Sequence, residues 1–419
     1  MSAVDSSIVI QETNPTQTAE TASDRLRVLF VSHTYIVGLN QGKLNAIAET
    51  GAVDVGLLVP RKWEAPQWSK QLELETPYSA IQTYPAPIKF GGRAGAYFYS
   101  PLAVLKAIKD FRPDIIQVEQ EVFSLSAFEI ALFAKLFGKP LVLFGWENMN
   151  RQLSPFRQWI RQFVFNTTQL ILAGNHEGAE VMKQWGFKKP IEVMPQMGVD
   201  TTVFAPPHPK PSTSKLTIGF VGRLSYHKGI DLLIEAARIL RDLGHDFQIT
   251  LCGSGSDEPT FKATVNQYNL GDQFVWRGGV RHDEVPQEMA QFDILVLPSR
   301  TIETWKEQFG HVLIEAMAMA IPVVGSTCGE IPNVVGHPDL VFPEGDAIAL
   351  AKVLERLICE PEWRQQAGQH SLDRVHRYYT HECIAQRLIQ LWQKILEPKD
   401  GQGIYQLKPY STSEAKGHS

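Results

Sequence analysis

From residue 27 to residue 194, short apolar runs alternate with longer stretches whose apolar residues recur every three or four positions. The short runs read as strands buried on both faces, and the longer stretches as amphipathic helices. The pattern predicts strands over 27–32, 53–60, 114–119, 140–144, 169–173 and 191–194, and helices over 43–49, 102–111, 125–137 and 155–165. Another helix follows the polar cap Gly174-Asn175-His176-Glu177. Residues 63–90 hold several prolines and read as irregular. Such alternation predicts a doubly wound parallel sheet.

Residues 205–214, proline-rich and then Ser-Thr-Ser, read as a linker. The alternation then resumes, with strands expected over 217–221, 247–252, 274–276, 294–297 and 322–325. Helices are expected over 230–242, 259–268, 285–290, 311–320, 347–359, 361–379 and 382–396. The fold class is α/β, with two Rossmann-like domains over 25–204 and 215–380 and a closing helix over 381–397. Residues 1–24 lack any sustained pattern and read as a disordered tail, and 398–419 as a polar tail. Two stretches admit two readings each. Residues 91–99, glycines followed by Tyr97-Phe98-Tyr99, read equally as a mobile acceptor loop or as a turn into the next helix. The helix over 155–165 has Phe156, Trp159, Ile160 and Phe163 on one face and Arg157 and Arg161 on the other. It could lie on a membrane, but packing on the sheet is favoured.

Composition narrows the function classes. The chain has 419 residues, 44% of them hydrophobic and 20% charged, as in an ordinary globular protein. A net charge of −5 gives no support for a nucleic-acid partner. Cys252, Cys328, Cys359 and Cys383 are far apart and read as free thiols in a reducing, cytoplasmic compartment. The apolar region 127–146 is interrupted by Glu129, Lys135 and Lys139, so no spanning helix is expected. The first residues lack a basic region and a long apolar core, so no signal peptide is expected.

The chemistry concentrates after the strand over 294–297. Glu307 and Glu315 stand eight positions apart, about 12 Å along a helix. Between them, backbone N–H groups of Gln308, Phe309 and Gly310 open a helix at a strand's C-terminal end, where parallel sheets bind ligands and anions. Glu315 shares its helical face with Val312, Ala316 and Met319, so it should be buried and in need of a partner such as a diol. Gly222-Arg223 and Lys228-Gly229 place two cations at another strand-to-helix corner, suited to a diphosphate. No Asp-x-Asp triplet is present to hold a metal there, and His176 and His311 lack metal-ligand spacing, so no metal site is expected.

Glu307-x7-Glu315 with its Glu-Ala-Met-Ala and Pro322-Val323-Val324 resembles the signature of retaining glycosyltransferases of the GT-B fold, family 4. GRLSYHKGID, from Gly222 to Asp231, is similar to that family's G-R-L-x-x-x-K-G. Trp146-Glu147-Asn148, TWKEQFG over 304–310 and PxxGVD over 195–200 resemble a bacterial subgroup with a W-x-N motif. The resemblance implies two domains facing a cleft, with the last helix returning to the first domain. It implies a nucleotide-diphosphate sugar as co-substrate, no cofactor, and a saccharide or lipid-linked hydroxyl as acceptor. Arg223 and Lys228 would stabilise the diphosphate, Glu307 would hold the sugar hydroxyls and Glu315 the ribose. Gly222, Gly253, Gly279, Val280, Gln308, Phe309 and Gly310 would complete the donor site. On the acceptor side the residues are His33, Trp146 and Glu147, with Trp146 standing where many family members have histidine. Polysaccharide or glycolipid synthesis, with peripheral contact at the cytoplasmic membrane face, is the expected setting. A nucleotide-sugar epimerase and a non-catalytic nucleotide-sugar-binding scaffold are the alternatives.

Overall fold

The computed structural model describes residues 25–65, 70–93, 95–207 and 215–397. The tails expected over 1–24 and 398–419 lie outside these residues, as do 208–214 of the expected linker.

The first sheet has seven parallel strands. Their order from edge to edge is Ile191–Val193, Thr168–Ala173, Leu141–Gly145, Ile115–Glu119, Leu26–Val31, Val53–Pro60 and Ile81–Ala86. The strands Ile115–Glu119 and Leu141–Gly145 are buried at every position, which is why they are apolar throughout rather than alternating. The last strand falls where an irregular stretch was expected. Ile81, Tyr84 and Ala86 point inward while Gln82 and Pro85 are exposed. Among the described residues it pairs only with Val53–Pro60. An edge position tolerates the proline that disguised it. The same stretch also holds the antiparallel pair Lys62–Ala65 and Lys70–Glu73.

Around residues 91–93 and 95–99 the chain turns into the next helix rather than forming a loop open to the cleft. Tyr97 and Tyr99 are fully buried, Phe98–Tyr99 pairs with Ile88–Lys89, and the helix Pro101–Phe111 follows. The helix Pro155–Thr167 divides its expected apolar face. Ile160 and Val164 enter the core, whereas Phe156 and Trp159 remain 58% and 55% exposed.

The second sheet has six parallel strands, in the order Phe274–Gly278, Phe247–Cys252, Leu216–Val221, Ile294–Leu297, Val323–Ser326 and Val341–Phe342. The two-residue strand Val341–Phe342 is too short to show a pattern in sequence. In each sheet the first strand in the chain is flanked on both sides, by Ile115–Glu119 and Val53–Pro60 in one and by Phe247–Cys252 and Ile294–Leu297 in the other. The order reverses there, and the carboxyl ends of those strands form the crevice. The helix His381–Leu396 begins at Thr380, whose side chain accepts from the Cys383 amide. Its Ile384, Leu388, Leu391 and Trp392 lie in the core of the first sheet, and Trp392 Nε1 donates to Gln117 Oε1 at 3.0 Å.

Candidate active site

The strand Ile294–Leu297 ends in Pro298-Ser299, and the chain returns to the crevice through 304–310 before the helix His311–Ala318. Two glycines make this packing feasible. Gly310 has φ +82°, and an added Cβ would lie 2.8 Å from Leu297. Gly229 has φ +73°, and its Cβ would lie 1.9 Å from the Pro298 carbonyl oxygen. An L side chain fits neither conformation without strain. The corner bearing Lys228 is thereby pressed onto the end of the strand that leads to Glu307.

Glu307 is 7% exposed and accepts from Lys228 Nζ at 2.6 Å and Ser299 Oγ at 2.9 Å, both on Oε2. Lys228 Nζ also sits 4.7 Å from the centre of the Trp305 ring. Arg223 is exposed and makes no ion pair among the described residues. Arg223, Lys228 and Glu307 share a cavity of about 410 Å³ with Gly222, Gln308, Phe309 and Gly310. Thus most of the donor-side residues expected from sequence meet in one place.

Glu315 opens instead into a neighbouring cavity of about 340 Å³, which shares Met197 and His311 with the first. Burial pushes the Glu315 carboxyl up to about 7 and His311 down to about 4. His282, His381 and Asp200 also line this second cavity, and His381 Nδ1 is buried without a hydrogen-bond partner. Gly253 closes the strand Phe247–Cys252, donating its N–H to the Gly278 carbonyl at 2.7 Å. Gly279 approaches Ser254 in the same turn, and Val280 packs against the second core. These three lie outside the walls of both cavities.

The expected acceptor-side residues are dispersed. Trp146 lines the larger cavity, its ring 6.2 Å from that of Phe309. Glu147 is buried and turned into an ion pair with Arg151 Nε at 2.6 Å. His33 Nδ1 accepts from Gln120 Nε2 at 2.7 Å, and the ring packs on Trp63 and Tyr97. Burial lowers its pKa to about 4, so it is neutral near pH 7. Neither His33 nor Glu147 lines the two cavities.

Sequence reasoning missed several members. Gln196 accepts from Trp146 Nε1 at 3.1 Å and donates to Thr34 Oγ1 and Glu119 Oε2 at 3.0 and 2.8 Å, fixing the tryptophan from below. It lies in PxxGVD, so the motif flagged its position without its role. Glu121 accepts the amides of Trp146 and Glu147, and burial raises its pKa to about 7. Nothing in the sequence around Glu121 distinguished it from a surface glutamate. Among the described residues no group of three or more His, Cys, Asp or Glu is arranged to hold a metal ion. No helix among them is long and apolar enough to cross a membrane.

Residues 204–373 match the family model of glycosyl transferases group 1. The chain is similar to a 2-deoxystreptamine glucosyltransferase of Streptomyces kanamyceticus, 33% identical over 34% of this chain and 36% of that protein. It is similar to the amylovoran biosynthesis glycosyltransferase AmsK of Erwinia amylovora, 37% identical over 34% of this chain and 36% of that protein. The chain thus spans about a third of the length of these relatives. Among solved structures it resembles sucrose-phosphate synthase from Thermosynechococcus elongatus, with TM-score 0.67 and 18% identity over 88% of this chain and 99% of the other. It also resembles Anabaena HepE in complex with UDP, with TM-score 0.63 and 18% identity over 88% of this chain and 100% of the other. With its two parallel-sheet α/β domains the chain has the GT-B fold of these structures, and its residues 204–373 carry the match to glycosyl transferases group 1.

Proposed function

We propose that the protein transfers a sugar from a nucleoside diphosphate to a hydroxyl acceptor with retention of anomeric configuration, in the manner of family 4. One observation carries the reading: Arg223, Lys228 and Glu307 converge on a single crevice cavity of diphosphate-sugar size. The names of the relatives, each matched over about a third of the chain, agree with it. Lys228 and Arg223 supply charge to the departing diphosphate, and Glu307 takes the sugar hydroxyls. The β-phosphate oxygen released from the sugar accepts the proton of the acceptor hydroxyl on the same face, so no protein base is required. A screen of UDP-, GDP- and ADP-sugars, with acceptor and with donor alone, tests this. An anomerically retained glycoside supports it; an epimerised donor formed without acceptor refutes it.

Activity is expected to persist in excess chelator, because the cations of Arg223 and Lys228 replace a metal at the diphosphate; loss of activity that magnesium restores refutes this. Glu315 is assigned to the ribose, whose hydroxyls donate to the ionised carboxylate. With its pKa near 7 without ligand, nucleoside diphosphate affinity should rise between pH 6 and 8. Glu315→Gln should remove that part of the rise. The sign for stability is opposite. A folded pKa above the ordinary glutamate value of 4.5 means that the ionised form costs stability, increasingly from pH 4.5 to about 7 and fully above it. Glu315→Gln should therefore raise the melting temperature at pH 8 and leave it unchanged at pH 4. Calorimetric titration and melting curves of the pair decide both.

Peripheral membrane contact belongs to this reading. Phe156 and Trp159 stack on one another and are 58% and 55% exposed, Trp159 also meets Phe163, and Lys135 Nζ lies 5.4 Å from the centre of the Phe163 ring. An apolar patch beside cations suits an anionic lipid surface.

A further inference from the structure

Apart from Glu307 itself, the transfer just described leaves the sequence motifs W-x-N and TWKEQFG without a role, yet they touch across the crevice. Asn148, 6% exposed, donates Nδ2 to the backbone oxygen of Glu307 at 3.3 Å, from 159 positions away. Gln308 Nε2 donates to the backbone oxygen of Trp146 at 3.1 Å. Arg151 Nη2 donates to the backbone oxygen of Thr304 at 3.4 Å. Lys306 Nζ pairs with Glu177 Oε1 at 2.8 Å. The first domain thus grips the segment from Thr304 to Gln308 at four points, with Glu307 inside the grip.

Within the second domain the Glu307 carbonyl also accepts the Glu330 amide at 3.3 Å. Both lone pairs of that oxygen are therefore used, one donor coming from each domain. Glu330 is itself held by the first domain, taking the His176 amide at 2.9 Å and His176 Nδ1 at 2.6 Å. The peptide plane that carries the Glu307 side chain is fixed from two sides only while the domains are together.

The geometry points to an interdomain clamp in which Asn148 is a positioning residue for Glu307, assisted by the Glu177–Lys306 pair. The clamp rests on these contacts alone; its consequence for turnover rests on the glycosyl-transfer reading of Glu307. The sugar subsite is complete only when the acceptor domain is seated, which ties donor activation to the presence of the acceptor side and limits transfer to water. Asn148 does its work through backbone geometry and touches no donor atom.

Amide hydrogen exchange of the ligand-free protein tests the clamp. Asn148→Ala should speed exchange over 304–309 by about five- to tenfold, the factor for losing one buried hydrogen bond. Exchange in the helix Ile230–Asp242 should not change. Asn148→Asp, of the same shape but turning an acceptor toward a carbonyl, should do at least as much. Glu177→Lys and Lys306→Glu should each speed the same amides, and the two together should restore them. For the consequence, kcat with the active sugar nucleotide should fall in Asn148→Ala while the affinity for the matching nucleoside diphosphate (UDP, GDP and ADP being titrated) stays at the wild-type value. Unchanged exchange over 304–309 in the four single variants overturns the clamp. Faster exchange with wild-type kcat overturns the positioning role. A wild type that turns over no sugar nucleotide overturns the transfer reading instead, and the exchange result still decides the clamp.

Discussion

Lys228→Ala is expected to lower turnover at saturating donor by about 10²–10³, or roughly 3–4 kcal/mol. Negative charge grows on the diphosphate as the sugar bond breaks, so a cation fixed beside it acts more strongly on the transition state than on the bound donor. Such a loss appears in kcat rather than KM. The ion pair with Glu307 adds a second consequence. Without ligand, Lys228 is the charged partner of Glu307, and Ser299 is the other group on the same oxygen. Removing the lysine leaves a nearly buried carboxylate short of one partner, so the melting temperature should also fall. Kinetics must therefore be read only on variant shown to be folded at the assay temperature. Glu307→Ala should differ in kind. It removes hydroxyl ligands that both bind the sugar and align its anomeric carbon, so KM should rise and kcat fall together. Folded Lys228→Ala with wild-type turnover would mean that Arg223 alone meets the diphosphate charge.

How much of this was legible in the sequence depended on the range of the interactions. The central strands were readable because burial on both faces leaves an apolar run with no gaps, as at Ile115–Glu119. The edge strand Ile81–Ala86 was not, since one solvated side admits Pro85 and Gln82 and erases the run. On the donor side, Arg223, Lys228 and Glu307 could be placed together because each sits at the carboxyl end of a strand of one sheet. The topology of the sheet then supplies the proximity. On the acceptor side, His33, Trp146 and Glu147 do not converge, for a reason of orientation. Glu147 follows the strand Leu141–Gly145, and its carboxylate turns to Arg151, four residues on. Position after a strand fixes where a Cα lies and not where a flexible side chain finds its partner. Trp159 and Ile160 show the same limit on a helix, where adjacent members of one apolar stripe end on opposite sides of the solvent boundary. Contacts such as Asn148 with Glu307 join separate domains, and no local pattern encodes them.

Glu119→Ala is expected to cost about 3–5 kcal/mol of folding stability, a large share of the total for a domain. Lys43 and Glu119 are 1% and 3% exposed, and their charged atoms lie 2.8 Å apart. Burial lowers the lysine pKa even though Glu119 opposes the shift. Glu119 also accepts from Tyr35 Oη at 2.6 Å, Gln117 Nε2 at 2.9 Å and Gln196 Nε2 at 2.8 Å. Its removal would strand a buried ammonium and three further donors at once, and each unsatisfied group carries its own desolvation cost. The effect should also spread. Gln117 receives the Trp392 indole of the last helix, and Gln196 holds the Trp146 indole at the crevice, so one carboxylate ties together the first sheet, the closing helix and the cavity wall. Glu119→Gln keeps the shape but removes the charge, and should fall between alanine and wild type. The decisive comparison is the double variant Lys43→Met, Glu119→Leu. If stranded charge is the main cost, the apolar pair should recover much of what Glu119→Ala loses, because the pair as a whole contributes little beyond its own desolvation. Urea unfolding of the four proteins measures this directly. A loss below about 1 kcal/mol in Glu119→Ala would show that water reaches Lys43 in the variant and takes over as its partner.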